Sequence, residues 1–265
     1  MIPTDRKYYT SSIDFIFNHY IREYDIRKAN ISILHEAGII SGETYARLYN
    51  ADRMQRQVYI GNMIKENKYI GDKLADFIIK YKEEFFSKNM IKDYQVLSIK
   101  NDAVFLIDTI PMFTKFGKTR NIEFVLKNTY THFMKLDRLE IYYGKSFNQE
   151  VIDVKGIKDE DLEKYHMPFL NIILDFFRNM NDYGAEKSLD YISSIIDAYL
   201  RKDLGIEYYR NFRSNSDYVM NSPTAAYSII SVPEDYNFDI NYNLYLLRQM
   251  HKYACKCLYE KINRG

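Results

Sequence analysis

The sequence predicts an α+β protein: a strand-rich lobe carrying inserted helices over residues 1–157, then a mainly helical lobe over 158–265. Three observations carry that reading. Residues 94–107 hold two apolar runs of strand composition closed on Lys100-Asn101-Asp102, the pattern of a β-hairpin. Residues 41–88 place apolar side chains at three-to-four spacing, the period of helices packed on one face. From 165 onward that helical period returns. With 265 residues the chain can bury a sizeable core, as one large domain or two lobes.

Taken in order, residues 11–23 are apolar and aromatic and suit a strand or a short helix. Residues 26–37 start a helix that ends near Gly38. From Ser41, the stripe Tyr45, Leu48, Tyr49, Met54, Val58, Ile60, Met63, Ile64 predicts one long helix, and Ile70, Leu74, Phe77, Ile78, Tyr81, Phe85 a second over 68–87. After the hairpin, Gly117 marks a turn, and strands are expected at 122–127, 129–136, 139–143 and 151–154. Helices follow at 165–180, 186–201 and 242–262. The Ser-, Pro- and Asn-rich segment 211–239 has turn chemistry and is expected to wrap the surface.

Charge excludes a global polycation, because 37 basic residues face 36 acidic ones. Contacts to nucleic acid would therefore come from local patches. No apolar run is long enough to span a bilayer, and the N-terminus has no signal-peptide core. A soluble protein of the cytoplasm, the host's if the source is viral, is the expectation. Cys255 and Cys257 stand two apart in a helical stretch, a poor geometry for a disulfide. With His251 their spacing could begin a soft-metal site, but no partner cluster occurs elsewhere in the sequence. The run Tyr208-Tyr209-Arg210-Asn211-Phe212-Arg213 suits either base stacking or core packing. Lys115, Lys118 and Arg120 around Gly117 form a solvated loop or a phosphate-binding patch.

Two carboxylates carry the candidate chemistry. Asp102 sits at the hairpin turn, where a turn residue is the plain reading. Asp25 lies 77 residues earlier, where a strand-like run passes into a helical one. A carboxylate at a strand end paired with another on a hairpin can hold two Mg²⁺ ions for phosphoryl transfer, because Mg²⁺ keeps several waters and substrate oxygens among its ligands.

The segment Asp25-Ile26-Arg27-Lys28-Ala29-Asn30-Ile31-Ser32 resembles the first motif of family B DNA polymerases. Ile99-Lys100-Asn101-Asp102-Ala103-Val104-Phe105 is similar to their third motif, with its second aspartate kept as Asp102. Arg53 to Gly61 faintly echoes the fingers motif, Lys127-Asn128-Thr129-Tyr130 looks like the Lys-Lys-x-Tyr motif, and Val154-Lys155-Gly156-Ile157 like a later Lys-Gly strand. The resemblance is to a reduced polymerase of viral or phage type, palm and thumb only. It implies a palm-like antiparallel sheet with short helical fingers at about 41–88 and a helical thumb from 158. It further implies Asp25 and Asp102 as catalytic ligands of Mg²⁺ or Mn²⁺, and Arg53 as the grip on an incoming nucleoside triphosphate, with Arg56 or Lys65 sharing the task. Lys127, Tyr130 and Lys155 would contact the primer-template. Asn30, in place of a tyrosine that blocks the ribose 2′-hydroxyl, would relax sugar choice. Proofreading would be absent or supplied by a second polymerase or exonuclease chain. The departure at Asn101, where the family has an aspartate, sets up the alternative of an inactive palm-derived scaffold that binds nucleic acid or a partner. An unrelated α+β protein is the third reading.

Overall fold

A computed structural model describes residues 7–146, 149–209, 212 and 242–264. It is α+β, with an eight-stranded antiparallel sheet in the order β1 (Tyr8–Thr10), β3 (Val96–Lys100), β4 (Ala103–Ile107), β2 (Phe15–Ile26), β6 (Ile122–Leu136), β7 (Leu139–Ser146), β8 (Gln149–Lys155), and with β5 (Lys115–Phe116) beside β6. Contacts divide the chain into one unit of residues 1–13 and 19–130 and a second of 14–18 and 131–265.

In the first unit the described elements are β1 (Tyr8–Thr10), most of β2 (Phe15–Ile26), α1 (Ala29–Glu36), α2 (Gly42–Asn50), α3 (Arg53–Glu66), α4 (Tyr69–Lys88), β3 (Val96–Lys100), β4 (Ala103–Ile107), β5 (Lys115–Phe116) and the first part of β6 (Ile122–Leu136). The apolar stripe of α4, with Leu74, Ile78 and Phe85, packs in one buried cluster with Ile99, Val104 and Phe124 of the strands. Phe85 stacks on Phe124 with ring centroids 4.2 Å apart. Residues 41–64, expected as one helix, form two. Ala51 is extended, and the Asp52 carboxylate accepts from the Gln55 amide at 2.8 Å, starting α3 afresh. The ambiguous segment 11–23 lies largely in β2.

The second unit holds the start of β2, the end of β6, β7 (Leu139–Ser146), β8 (Gln149–Lys155), α5 (Asp159–Tyr165), α6 (Met167–Tyr183), α7 (Ala185–Leu200) and α8 (Tyr242–Arg264). The strand pair expected at 122–127 and 129–136 is a single strand, β6. The boundary expected at 157 falls at 130 instead. Leu136, Leu139, Ile141, Tyr143 and Val154 bury into the same cluster as Phe169, Ile173, Phe177 and Ile192, so these strands belong with the helices. Tyr209 and Phe212 are buried in that core too, which removes them as base-stacking surfaces. Apart from Phe212, the turn-rich stretch 211–239 lies outside the described residues, as do Arg210 and Arg213. No described helix is long and apolar enough to cross a membrane.

Candidate catalytic site

Strand β2 alternates as a strand must. Tyr24 and Ile26 enter the core of the first unit, and Glu23 and Asp25 share the opposite face. Its antiparallel register with β4 sets Asp25 across from Ala103 and Glu23 across from Phe105. Lys100 pairs with Ala103, so β3 and β4 are joined by the two residues Asn101-Asp102. Asn101 takes φ 57°, the left-handed conformation that tight hairpin turns require and asparagine tolerates. The result brings Asp102 against Asp25, residues the chain separates by four helices.

Burial, then the charge and side chain of Asp102, push the Asp25 carboxyl up to about 7; Lys127 opposes and Glu23 adds to the rise. The pair therefore holds a proton near neutrality. Asp25 Oδ1 is buried with no hydrogen-bond partner. The Asn101 amide donates to Asp102 Oδ1 at 3.0 Å, so Asn101 orients its neighbour.

Two groups that the sequence reading missed support the pair. Lys82 is fully buried on α4, where burial pulls its ammonium down to about 8 against the opposing charge of Asp102. Glu23, 1% exposed, accepts from the Tyr130 hydroxyl at 2.8 Å and the Asn128 amide at 2.9 Å, and pairs with Lys127 at 3.3 Å. Their signals were a lysine inside the apolar stripe of α4, and an acid two residues from Asp25 on the same strand face.

Of the remaining expected residues, Lys127 is half-exposed beside this cluster. Tyr130 has no exposed surface and its hydroxyl is engaged by Glu23, so it buttresses the site and cannot touch a primer-template backbone. Asn30 is exposed at the second position of α1. Arg53 is exposed at the start of α3, and Arg56 donates to the carbonyl of Ala51. Among the described residues no hydrogen bond or ion pair joins Asn30, Arg53 or Arg56 to the carboxylates. Lys155 belongs to the second unit and is paired with Asp153 at 2.6 Å.

The donor set fits a hard divalent cation. Two carboxylates that share a proton, one with an orphaned buried oxygen, offer what such a cation replaces. No group of three or more His, Cys, Asp or Glu converges among the described residues, so water and substrate oxygens would complete the shell, as Mg²⁺ prefers.

A family model for the bacteriophage PBS1 gene 130 protein matches residues 3–255. The chain belongs to that family. Comparison with curated proteins gives no match. The match to the PBS1 gene 130 protein spans Glu23, Asp25, Lys82, Asp102 and Lys127, so the site lies in the body of the family's sequence and not in an appendage.

Proposed function

We propose that this phage protein is a minimal or split family-B-like polymerase that transfers nucleotides to a primer on a template. The observation that carries the reading is the contact between Asp25, at the end of a strand leading into a helix, and Asp102, at the tip of the adjoining hairpin. A Mg²⁺ or Mn²⁺ ion held by Asp25 and Asp102 would supply a lowered pKa for a primer hydroxyl and neutralise charge on the attacked phosphate. The chain's own residues then have distinct tasks. Asn101 fixes the rotamer of Asp102, and Lys82 balances the carboxylates from below. Glu23, gripped by Tyr130 and Asn128, holds the Lys127 ammonium beside the pair, where it can meet a backbone phosphate. Arg53 and Arg56, one helical turn apart on α3, would receive the triphosphate.

The second reading, an inactive scaffold, is favoured by one observation: Asn101 replaces an acid and leaves two carboxylates where the motif has three. Primer extension by the full chain separates the two. Incorporation that Asp102→Asn abolishes supports the polymerase, and an inert, folded wild type with the full set of nucleotides and template supports the scaffold.

A further inference from the structure

We infer that the first unit carries a binding track for single-stranded nucleic acid, separate from the carboxylate pair and leading toward it. Two adjoining clefts on this unit, of about 540 Å³ and about 410 Å³, share Lys115 and Arg120 as lining residues. The first also takes in Lys80, Lys88 and Lys118, and the second reaches Arg27, two residues beyond Asp25. The acids in these walls are already engaged. Glu36 accepts from the Lys118 amide and from the amide and hydroxyl of Thr119. Glu84 pairs with Lys88 at 2.7 Å, and Glu123 with Arg27 at 3.2 Å and Lys115 at 3.6 Å.

Lys80, Lys118 and Arg120 are left as the working cations. Lys80 lies over the Phe77 and Tyr81 rings at 5.5 and 5.7 Å. Lys118 and Arg120 are exposed and have no carboxylate partner among the described residues. The loop that presents them is built at a conformational cost. Gly117 takes φ 83° and Arg120 φ 57°, a region that an arginine occupies only when its surroundings impose it. Glu36 holds the loop just before Arg120, accepting from the amides of Lys118 and Thr119.

A row of cations spread over two connected clefts suits a chain of phosphates better than one phosphate. The concavities are of the size of small-molecule pockets, a scale that suits a flexible single strand better than a rigid duplex. Tyr45, stacked on His35, and Tyr49, with the Lys28 ammonium over its ring, form the half-buried apolar wall of the second cleft. The direction of the strand toward Asp25 rests on the polymerase reading, whereas binding does not.

The test is fluorescence anisotropy of a labelled oligonucleotide with the full chain, without divalent cation or nucleotide, over a range of salt. The comparison is wild type against a Lys80→Ala, Lys118→Ala, Arg120→Gly triple variant; glycine at 120 removes the charge and relaxes the backbone. We expect a loss of affinity of about tenfold or more, and a salt slope shallower by about 2, at ~0.7 per phosphate contact on single strands. Unchanged affinity and slope in a folded triple variant would overturn the inference. So would a duplex that binds as tightly as the single strand, or free triphosphate that competes at the concentration of its phosphate groups. Because no catalysis is read, binding in a protein that extends no primer would refute the polymerase and leave the track standing.

Discussion

Replacing Asp25 by asparagine should make the protein more stable at pH 8, and the structure sets the size of the effect. In the fold the Asp25 carboxyl is raised from 3.8 to about 7 by burial and by Asp102. Between those values the native state keeps a proton that the unfolded chain has released. Stability contributed by this group is thus complete below about pH 4, falls as pH rises, and is gone above about 7. At ~1.4 kcal/mol per pKa unit the full loss is about 4 kcal/mol. An asparagine amide donates to Asp102 as the protonated acid does, but at every pH. Urea unfolding of Asp25→Asn and wild type should therefore give similar free energies near pH 4 and diverge by about 2–4 kcal/mol at pH 8, the variant being the more stable. Taking the difference cancels other titrating groups. Parallel profiles from pH 5 to pH 8 would refute the shared proton.

Three further outcomes follow from the same geometry. His132 is buried among Phe17, Tyr143 and Phe177 with Nε2 unpaired, and burial pulls its imidazole down to about 4. Its contribution is complete above about pH 6.5 and lost as pH falls toward 4, so His132→Phe should spare about 3 kcal/mol of acid destabilisation, read from urea midpoints at pH 4 and 7. Gly117→Ala would set a Cβ 2.7 Å from the Glu36 carboxylate at φ 83°; the melting temperature should fall by an amount equal to about 1–3 kcal/mol. If extension occurs, wild type should accept ribonucleotides, and Asn30→Tyr should raise the deoxynucleotide preference about tenfold in a competition assay, about 1.4 kcal/mol.

The hairpin was legible because strand composition and an Asn-Asp turn leave little else for residues 94–107 to do, and Asp102 came with it. Asp25 was legible from the switch of period at its position. Their pairing was read from chemistry and from the motif resemblance, whereas the β2–β4 register that produces it is stated by no local pattern. Glu23 and Lys82 lay in regular strand and helix patterns, and their importance appears only when burial is known. The motif resemblance places Tyr130 on a nucleic-acid face, whereas the inward side of β6 claims it. The break between α2 and α3 was written in Asp52 as a helix cap, but the apolar stripe ran across it and masked it. The boundary at 130 follows from which helices the later strands pack upon, a tertiary fact.

The pair itself can be interrogated without template or partner chain. Mn²⁺ titration of the full chain at pH 6, following bound ion by electron paramagnetic resonance and released protons in a weakly buffered solution, reads both halves of the claim at once. Wild type is expected to bind Mn²⁺ and release close to one proton as the ion replaces the one held between Asp25 and Asp102, and Asp25→Asn and Asp102→Asn each to bind at least tenfold more weakly with no proton release. Equal binding by all three proteins, or none by wild type, would contradict it.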